Sequence, residues 1–225
     1  MLNQMTSGFK IIPTVFGDAE LAHISQSLDT AQLKRSRAGI RHLLSVPEIL
    51  ALAKEPRLIS LAKAILGCEP VPFGATLFDK SSDANWLVVW HQDTALPLME
   101  HHDVKGWGPW SQKDGVTYAH APASALERCV SIRIHLDDST HDNGPLRVLP
   151  DTHMLGVLSD VQIHELSQRI EPVTCTVARG GVLLMSPLII HASSKAVNDM
   201  PRRVLHLEYA TSRDFGDGLM LRAPP

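Results

Sequence analysis

Residues 179–210 read RGGVLLMSPLIIHASSKAVNDMPRRVLHLEYA and carry the pattern that predicts the fold. The apolar run Val182–Met185 is short enough for a buried strand, and Leu188–Ile190 then leads to His191. After a polar connection, the chain returns as Arg203–Tyr209, whose alternation predicts a second strand. A histidine and an arginine buried here without partners would cost several kcal/mol. The pattern therefore predicts a compensating ligand, such as a metal ion together with an anionic molecule.

The composition indicates a single globular domain over residues 1–225. The chain has 44% hydrophobic and 20% charged residues, which is typical of globular proteins. Its net charge of −3 gives no electrostatic reason to expect nucleic acid or an anionic membrane as a partner. The start of the chain lacks a signal-peptide pattern, and no run reaches the roughly 18 apolar residues of a membrane span. We therefore expect a cytoplasmic protein, whose three cysteines form no Cys-x-x-Cys motif and are predicted to be reduced.

The beginning of the chain reads as helical and the rest as strands. Apolar spacing predicts a helical N-terminal region over about 15–67, with helices at 18–29, 46–54 and 56–66. The pattern then changes, and a β core over about 70–211 is predicted with strands at 71–78, 86–90, 130–136, 146–149, 173–177, 182–185 and 203–209. The expected fold class is mainly β with packing helices.

Three details of packing also follow from the pattern. The strand Trp86–Trp90 is apolar throughout, so both of its faces should be covered. Asn143-Gly144 predicts a hairpin turn that joins strands 130–136 and 146–149. Residues 212–225 are expected to be a loosely attached tail.

His91 and Asp93 end the apolar strand and are separated by one residue. In a strand, residues i and i+2 project to the same side, so both side chains can face one point. With one distant histidine they would make the facial triad of two histidines and one carboxylate that binds non-haem Fe(II). The same spacing occurs elsewhere, and the apolar lead-in favours His91 over these competitors: His101–Asp103, His135–Asp137 and His206–Glu208.

The segment 94–124 is predicted to be a long loop that follows the candidate ligands directly. Loops of more than about 15 residues in a compact domain are usually functional or disordered. The segment is interpreted either as a mobile lid, with Trp107 and Trp110 contacting substrate, or as an ordinary surface excursion. Arg41 lies between apolar residues and is a third candidate substrate contact, whereas the basic residues Lys34, Arg35 and Arg37 read as a solvated face.

Three motifs occur in a characteristic order: WHQD at 90–93, NGPLRVLPDTH at 143–153, and SPLIIHASS with PRRVLHLEYA within 186–210. In this order they resemble the phytanoyl-CoA dioxygenase family of Fe(II)/2-oxoglutarate-dependent oxygenases. The similarity covers about residues 10–210, and the combination is specific although each motif alone is not. The resemblance implies a double-stranded β-helix, which is a jelly-roll or cupin-like sandwich with helices packed on one side.

The resemblance also implies the residues that bind the metal and the cosubstrate. His91, Asp93 and His191 match the iron ligands of the family. Arg202 matches the arginine that holds the distal carboxylate of 2-oxoglutarate, a role that suits the two-pronged guanidinium group. Arg203 is the alternative if the strand register differs by one residue, because such a shift reverses the face.

Two further residues belong to the implied site. Ser193 stands where the family places a hydroxyl group near the same carboxylate. Arg133 departs from the family pattern, because some members have an aromatic residue there that faces the cosubstrate. Arg133 is therefore predicted to be a second anion contact or a substrate contact.

The implied activity consumes O2 and 2-oxoglutarate, hydroxylates a substrate, and releases succinate and CO2. Related halogenases have a small residue in place of the carboxylate ligand, so Asp93 favours hydroxylation. A CoA thioester would need a basic cleft, which only segment 34–41 offers, so a small metabolite or natural-product intermediate is the expected substrate. Two other functions are considered: a jelly-roll binding protein without turnover, and a zinc-dependent hydrolase with the same ligands. An arginine that anchors a carboxylate distinguishes the oxygenase from the zinc enzyme.

Overall fold

The structure is a computed structural model that describes residues 5–31, 34–36, 39–80 and 84–223. Its helices are α1 (Asp18–Thr30), α2 (Pro47–Ala53), α3 (Pro56–Leu66), α4 (Ala123–Leu126) and α5 (Asp160–Arg169), with 3-10 turns at Leu43–Ser45 and Thr152–Leu155. The strands of the first half are β1 (Phe9–Ile12), β2 (Arg35–Ser36), β3 (Gly39–Ile40), β4 (Val71–Lys80), β5 (Val88–His91), β6 (Ala95–Leu98), β7 (Trp110–Lys113) and β8 (Val116–His120). Those of the second half are β9 (Cys129–His135), β10 (Leu146–Val148), β11 (Val173–Cys175), β12 (Val182–Met185), β13 (His191–Ser193) and β14 (Arg202–Ala210).

The strands form two main antiparallel sheets and one small sheet. The larger sheet has the order β1-β12-β9-β14-β4-β3-β2, and the second has the order β11-β10-β13-β5. Apolar side chains of both sheets pack together in one buried cluster, which includes Val148 from β10 and Met185 from β12. The two sheets therefore face each other across a common interior, as in a jelly roll. The predicted class, mainly β with packing helices, is confirmed.

The helices α1, α2 and α3 cover the outer face of the larger sheet. Side chains alternate along β14, so Leu205, Leu207 and Tyr209 point outward into the cluster that these helices share with the sheet. Tyr209 is fully buried, and its hydroxyl donates to the carbonyl of Ala53 in α2 (3.0 Å). Since Leu205, Leu207 and Tyr209 take the outward face together with Arg203, the alternate residues Arg202, His206 and Glu208 face the interior between the sheets.

The local sequence of helix α3 determines where this helix begins and ends. Glu55 caps its first turn by accepting from the backbone N–H of Arg57 (2.9 Å), and Pro56 occupies the first helical position. Gly67 ends the helix in the left-handed conformation, with φ of 75°. Leu58 is fully buried beneath the helix, which contributes roughly 2 kcal/mol through removal of apolar surface from water.

Two of the packing predictions are wrong. Strands β9 and β10 belong to different sheets, so Asn143-Gly144 does not close a hairpin; the connection crosses from one sheet to the other. The side chain of Asn143 is buried and bridges this crossing, since it accepts from the N–H of Thr140 (2.8 Å) and donates to the carbonyl of Asp138 (2.7 Å). The strand at 86–90 is not covered on both faces, because Val89 is 68% exposed. This strand, β5, also lies at the edge of its sheet.

The C-terminal segment is also more ordered than predicted. Leu219 and Leu221 are buried, and Leu221 forms a β-bridge with Leu98 of β6. The backbone N–H of Arg222 donates to the carbonyl of Pro97 (3.0 Å). The expectation of a loosely attached tail is therefore wrong for the described residues up to 223.

The segment 94–124 folds into a small sheet rather than an irregular loop. Its strands pair in the order β6-β8-β7, and α4 follows. The backbone of this segment was therefore predicted incorrectly, while its role as a lid stays a prediction. Among the basic residues predicted to be solvated, Lys34 and Arg35 are exposed, and Arg37 lies outside the described residues. None of the described helices is both long enough and apolar enough to cross a membrane.

Candidate metal centre

The two predicted histidine ligands face each other across a pair of antiparallel strands. β5 and β13 pair with His91 opposite His191, and the two imidazole rings lie 4.2 Å apart. His91 closes β5, and His191 opens β13 directly after the fully buried run Leu188–Ile190. The sheet thus brings together two side chains that are far apart in sequence.

Asp93 joins this pair from the turn that follows β5. Its backbone N–H donates to the carbonyl of Pro187 (2.9 Å), which ties this turn to the segment before His191. One carboxylate oxygen lies 3.6 Å from Nε2 of His91, and the other lies 3.5 Å from Nε2 of His191. The three ligand atoms lie within 4.8 Å of one another, and within the described ranges no other histidine, cysteine or acidic group of three comes as close.

The hydrogen bonds of the two imidazoles determine which nitrogen is free. Nδ1 of His91 lies 2.9 Å from the carbonyl oxygen of Val89, and Nδ1 of His191 lies 3.0 Å from that of Ile189. A carbonyl oxygen can only accept, so each Nδ1 carries the proton and each Nε2 keeps its lone pair beside Asp93. Two neutral imidazoles and one carboxylate are the donor set of non-haem Fe(II) sites, and carbonyl partners at Nδ1 are common for metal-bound histidines. These residues therefore fit a divalent iron ion.

The electrostatic environment favours a neutral His191 and an ionised Asp93, while at His91 burial is outweighed by Asp93, whose hydrogen bond and charge raise the pKa of that imidazole. Burial lowers the pKa of His191 to about 4, so its imidazole is neutral at physiological pH. Burial alone would raise the pKa of Asp93, but the adjacent His191 and His91 outweigh it and hold this pKa well below its usual range. A neutral imidazole and an ionised carboxylate are the forms that bind metal.

The competing histidine–carboxylate spacings do not form comparable clusters. His101 and Asp103 approach to 3.3 Å, but both side chains are exposed to solvent. Asp137 accepts two side-chain N–H groups of Arg203 at 2.9 Å each, so its carboxylate is already paired. His135 therefore has no free carboxylate two residues away.

Basic side chains gather in the interior beside β13. Arg202 is 3% exposed, and its Nε donates to the carbonyl of Asn143 (3.3 Å). Lys80 lies opposite Arg202 in the β14–β4 register, and its Nζ donates to Oγ of Ser193 (3.0 Å). Among the described residues, no carboxylate lies within ion-pair distance of either cation. An anionic group would fit between Arg202, Lys80 and Ser193.

Because no carboxylate of the described residues pairs with Arg202 or Lys80, both cations have lowered pKa values. Burial and the nearby Arg133 guanidinium lower the pKa of Arg202 to about 9. Burial and the charge of Arg202 lower the pKa of Lys80 to about 8. Ser193 lies two residues after His191, which is about 7 Å along a strand. The site can therefore hold a short dianion whose far end reaches the metal ligands.

Comparison with known families identifies the chain. The model of the phytanoyl-CoA dioxygenase (PhyH) family matches residues 6–204, which is most of the chain. The chain belongs to this family. It is 28% identical over 187 residues to an L-proline trans-4-hydroxylase from Streptomyces griseoviridis, with 70% of the chain and 61% of that enzyme aligned. The match thus spans less than two thirds of the length of that relative.

Solved structures of similar proteins agree with this family assignment. EctD from S. alaskensis, solved with 2-oxoglutarate and 5-hydroxyectoine, has a TM-score of 0.69 at 21% identity, over 91% of this chain and 72% of EctD. The epimerase SnoN, in complex with Fe3+, alpha ketoglutarate and nogalamycin RO, has a TM-score of 0.70 at 17% identity, over 94% and 82% of the two chains. AviO1 from Streptomyces viridochromogenes Tue57 has a TM-score of 0.67 at 20% identity, over 99% and 94%. The predicted double-stranded β-helix fold is therefore confirmed.

Arg133, which departs from the pattern of this family, faces the interior from β9. Its guanidinium donates from one terminal nitrogen to Nδ1 of His206 (3.2 Å) and lies 5.0 Å from the ring centre of Phe78. Its Nε is buried and has no hydrogen-bond partner among the described residues. Arg133 therefore keeps one unused donor in the interior, and its contact with an anion or a substrate stays a prediction.

The three predicted substrate residues lie outside the cluster around the metal ligands. Trp107 packs against Phe215, with ring centres 6.0 Å apart, in the buried cluster between the small sheet and the C-terminal segment. The ring centres of Trp110 and His101 lie 4.2 Å apart with the rings tilted by 52°. Arg41 is exposed. Their contact with substrate stays a prediction, and the geometry gives each of the two tryptophans a packing role.

Sequence reasoning missed two residues of the site. Lys80 is the last residue of β4, and the available signal was a lysine at the end of a largely apolar strand. Gln92 lies between the ligands His91 and Asp93 and is 7% exposed. Its side chain donates to the carbonyl of Leu188 (2.6 Å) and accepts from the N–H of Leu158 (2.9 Å), which fixes the turn.

Proposed function

We propose that this chain is an Fe(II)- and 2-oxoglutarate-dependent dioxygenase that hydroxylates a small organic molecule and releases succinate and CO2. The observation that carries the proposal is an interior with two chemically different ends. One end holds three convergent metal-ligand atoms within 4.8 Å of one another. The other end holds the buried cations Arg202 and Lys80 without a carboxylate partner among the described residues.

Each residue at the metal end has a distinct role in this proposal. His91, Asp93 and His191 would hold Fe(II) on one side, which leaves the remaining coordination positions for cosubstrate and O2. The carbonyls that accept from both Nδ1 atoms fix the ring orientations before any metal binds. Bound iron would supply the oxidising chemistry with O2, and the protein supplies the ligand geometry and the orientation of the bound molecules.

The cationic end would bind the distal carboxylate of 2-oxoglutarate. Arg202 can donate two parallel hydrogen bonds to a carboxylate, and Lys80 and the Ser193 hydroxyl lie beside it. The pairing of Arg203 with Asp137 supports Arg202 over Arg203 for this role. Binding of the anion would offset the unfavourable burial of two cations, so cosubstrate affinity would come partly from relief of that cost.

The same arrangement weighs against the other two functions. A zinc-dependent hydrolase would use the three ligands and a bound water, but it would not need a paired arginine and lysine at the far end. A binding protein without turnover would not need the Nε2 atoms free beside Asp93. An intact carboxylate ligand at position 93 supports hydroxylation over halogenation. Cytoplasmic location, a single domain over 1–225, and the absence of nucleic-acid and membrane partners stay predictions from sequence.

The test is an anaerobic titration of the purified chain with Fe(II) and then with 2-oxoglutarate. We expect an equimolar ternary complex with a weak visible absorption band, and succinate release when O2 and a suitable small molecule are added. The His191→Ala variant should lose the complex, while His101→Ala, which changes an exposed histidine, should keep it. Failure of the wild-type chain to bind 2-oxoglutarate in the presence of Fe(II) would reject the proposal.

A further inference from the structure

One acidic side chain faces the interior at the opposite end of β14 from Arg202. Because side chains alternate along the strand, Arg202, His206 and Glu208 share the inward face. Arg202 and Glu208 are about 20 Å apart along β14, at roughly 3.3 Å per residue. The Asp93 carboxylate interacts electrostatically with both His206 and Glu208, so the part of β14 that carries these two residues lies near the metal ligands.

Among the described residues, no arginine or lysine lies within ion-pair distance of Glu208. Nε2 of His206 lies at 4.0 Å, but burial lowers the pKa of His206 to about 3, so that imidazole is neutral. The Arg133 guanidinium donates to His206 and forms no ion pair with Glu208. No hydrogen bond reaches the Glu208 carboxylate from any described residue. Burial and the charge of Asp93 raise the pKa of Glu208 to about 8, although the Arg133 charge opposes this shift and 26% of the side chain is exposed towards an adjacent cavity.

A cavity of about 230 Å³ lies beside Glu208. The cavity opens along the part of β4 that precedes its pairing with β3, which involves Leu77 and Phe78. The lining includes Glu208, Gly74, Thr76, Tyr118, His42 and Arg222. Gly74 makes room for the carboxylate, because a Cβ atom at that position would lie 2.1 Å from Oε2 of Glu208. The volume lies below the range of about 300–1,000 Å³ that is usual for drug-sized ligands, so the occupant would be a molecule of amino-acid size.

We propose that Glu208 binds a protonated amino group of the substrate, and that the enzyme therefore acts on small amines or amino acids. The inference rests on the proposed function, because it assigns the substrate class of the same site. An ammonium group donates charge-assisted hydrogen bonds to a carboxylate, which would pair Glu208 and orient the molecule from the cavity towards the metal ligands. Arg202 and Lys80 bind the cosubstrate at the other end, so cosubstrate and substrate use charges of opposite sign and do not compete.

The test compares matched pairs of compounds on the chain loaded with Fe(II) and 2-oxoglutarate. The probes are the free amino acids, L-proline included, and short aliphatic amines, each beside its N-acetyl derivative, which lacks the positive charge. Binding is followed anaerobically by the shift in thermal midpoint, and turnover by succinate release in air. Free amines should raise the midpoint and stimulate succinate release, and their N-acetyl derivatives should not.

Three variants separate the role of Glu208 from general effects of charge. Glu208→Gln should weaken amine binding roughly tenfold to a hundredfold, as expected for loss of a charge-assisted hydrogen bond. Its affinity for 2-oxoglutarate should change less than about twofold, because Arg202 is at the other end of β14. Glu127→Gln, at an exposed glutamate, is the matched control and should leave both affinities unchanged. Gly74→Ala keeps the charge but displaces the carboxylate, so it should also weaken amine binding.

The outcomes distinguish this inference from the proposed function. If the wild-type chain binds Fe(II) and 2-oxoglutarate but no free amine in the panel binds, the assignment of Glu208 is overturned and the oxygenase proposal stands. Equal binding of N-acetyl derivatives, or undiminished amine affinity in Glu208→Gln, also overturns it. If 2-oxoglutarate itself does not bind, the proposed function fails, and the inference fails with it.

Discussion

Replacing Arg202 by methionine should stabilise the free protein, although it removes a residue of the site. Arg202 is buried without a carboxylate partner among the described residues, and its pKa is about 9 instead of 12.5. This difference in pKa means that the protein interior destabilises the charged form of Arg202 by roughly 5 kcal/mol relative to water. Loss of the hydrogen bond to Asn143 offsets about 1 kcal/mol of the gain, and imperfect packing of the new side chain offsets more. The free energy of unfolding should therefore rise by at least about 1 kcal/mol, or roughly 2–4 °C in Tm.

The same substitution should abolish most of the affinity for 2-oxoglutarate. Two charge-assisted hydrogen bonds are lost, each worth about 1.5–3 kcal/mol, so Kd should increase roughly 10²- to 10⁴-fold. Stability is measured by urea unfolding of the metal-free chain, and affinity by anaerobic calorimetric titration of the Fe(II)-loaded chain. Loading with Fe(II) itself should be unchanged, because His91, Asp93 and His191 are untouched.

The adjacent residue provides the control. Arg203→Met removes both side-chain hydrogen bonds to Asp137 and leaves that carboxylate with the backbone N–H of residue 203 and with Arg179 at 4.0 Å, so it should destabilise the chain by about 1–3 kcal/mol. Its affinity for 2-oxoglutarate should match that of the wild type, since Arg203 faces away from the interior. Two neighbouring arginines are thus expected to change stability in opposite directions. A destabilised Arg202→Met chain, or a loss of 2-oxoglutarate binding in Arg203→Met, would refute the reasoning.

Three further predictions concern the metal ligands, the small sheet and the buried histidines. His91→Ala should lower Fe(II) affinity at least about 100-fold in a competition titration, whereas His101→Ala should keep it, and equal effects would contradict the ligand assignment. Trp107→Ala should lower the urea midpoint through lost packing, by about 2 kcal/mol of stability. If the small sheet also acts as a lid, Trp107→Ala should reduce substrate oxidation while 2-oxoglutarate affinity is retained. Burial lowers the pKa of His135 and of His206 to about 3, while in the unfolded chain both take up protons near pH 6.5. The free energy of unfolding should therefore fall as pH decreases from 6.5 towards 3, by up to about 1.4 kcal/mol per pH unit for each histidine, and pH-independent stability would contradict this.

The sequence alone determined those features that depend on local pattern. Alternation and apolar runs placed β12 and β14 within one residue of their ends, because exposure of the apolar side chains would cost too much in any other conformation. The His-x-Asp spacing predicted a shared direction for His91 and Asp93, since that direction is a property of the strand. The apolar run before His191 indicated that this histidine is buried, and a buried polar side chain needs a compensating partner such as a metal ion.

Only the tertiary structure decided how the strands associate and which charges meet. The sequence pattern predicted a hairpin at Asn143-Gly144, but β9 and β10 join different sheets, because strand pairing depends on tertiary packing as well as on local turn preference. The C-terminal segment packs on β6 because Leu219 and Leu221 find an apolar surface that no local pattern reveals. The partners of Lys80 and the isolation of Glu208 likewise depend on the register of β14 against β4. Electrostatic environment is a property of the assembled interior, so the cationic end and the acidic end of the site became visible only when the sheets were in place.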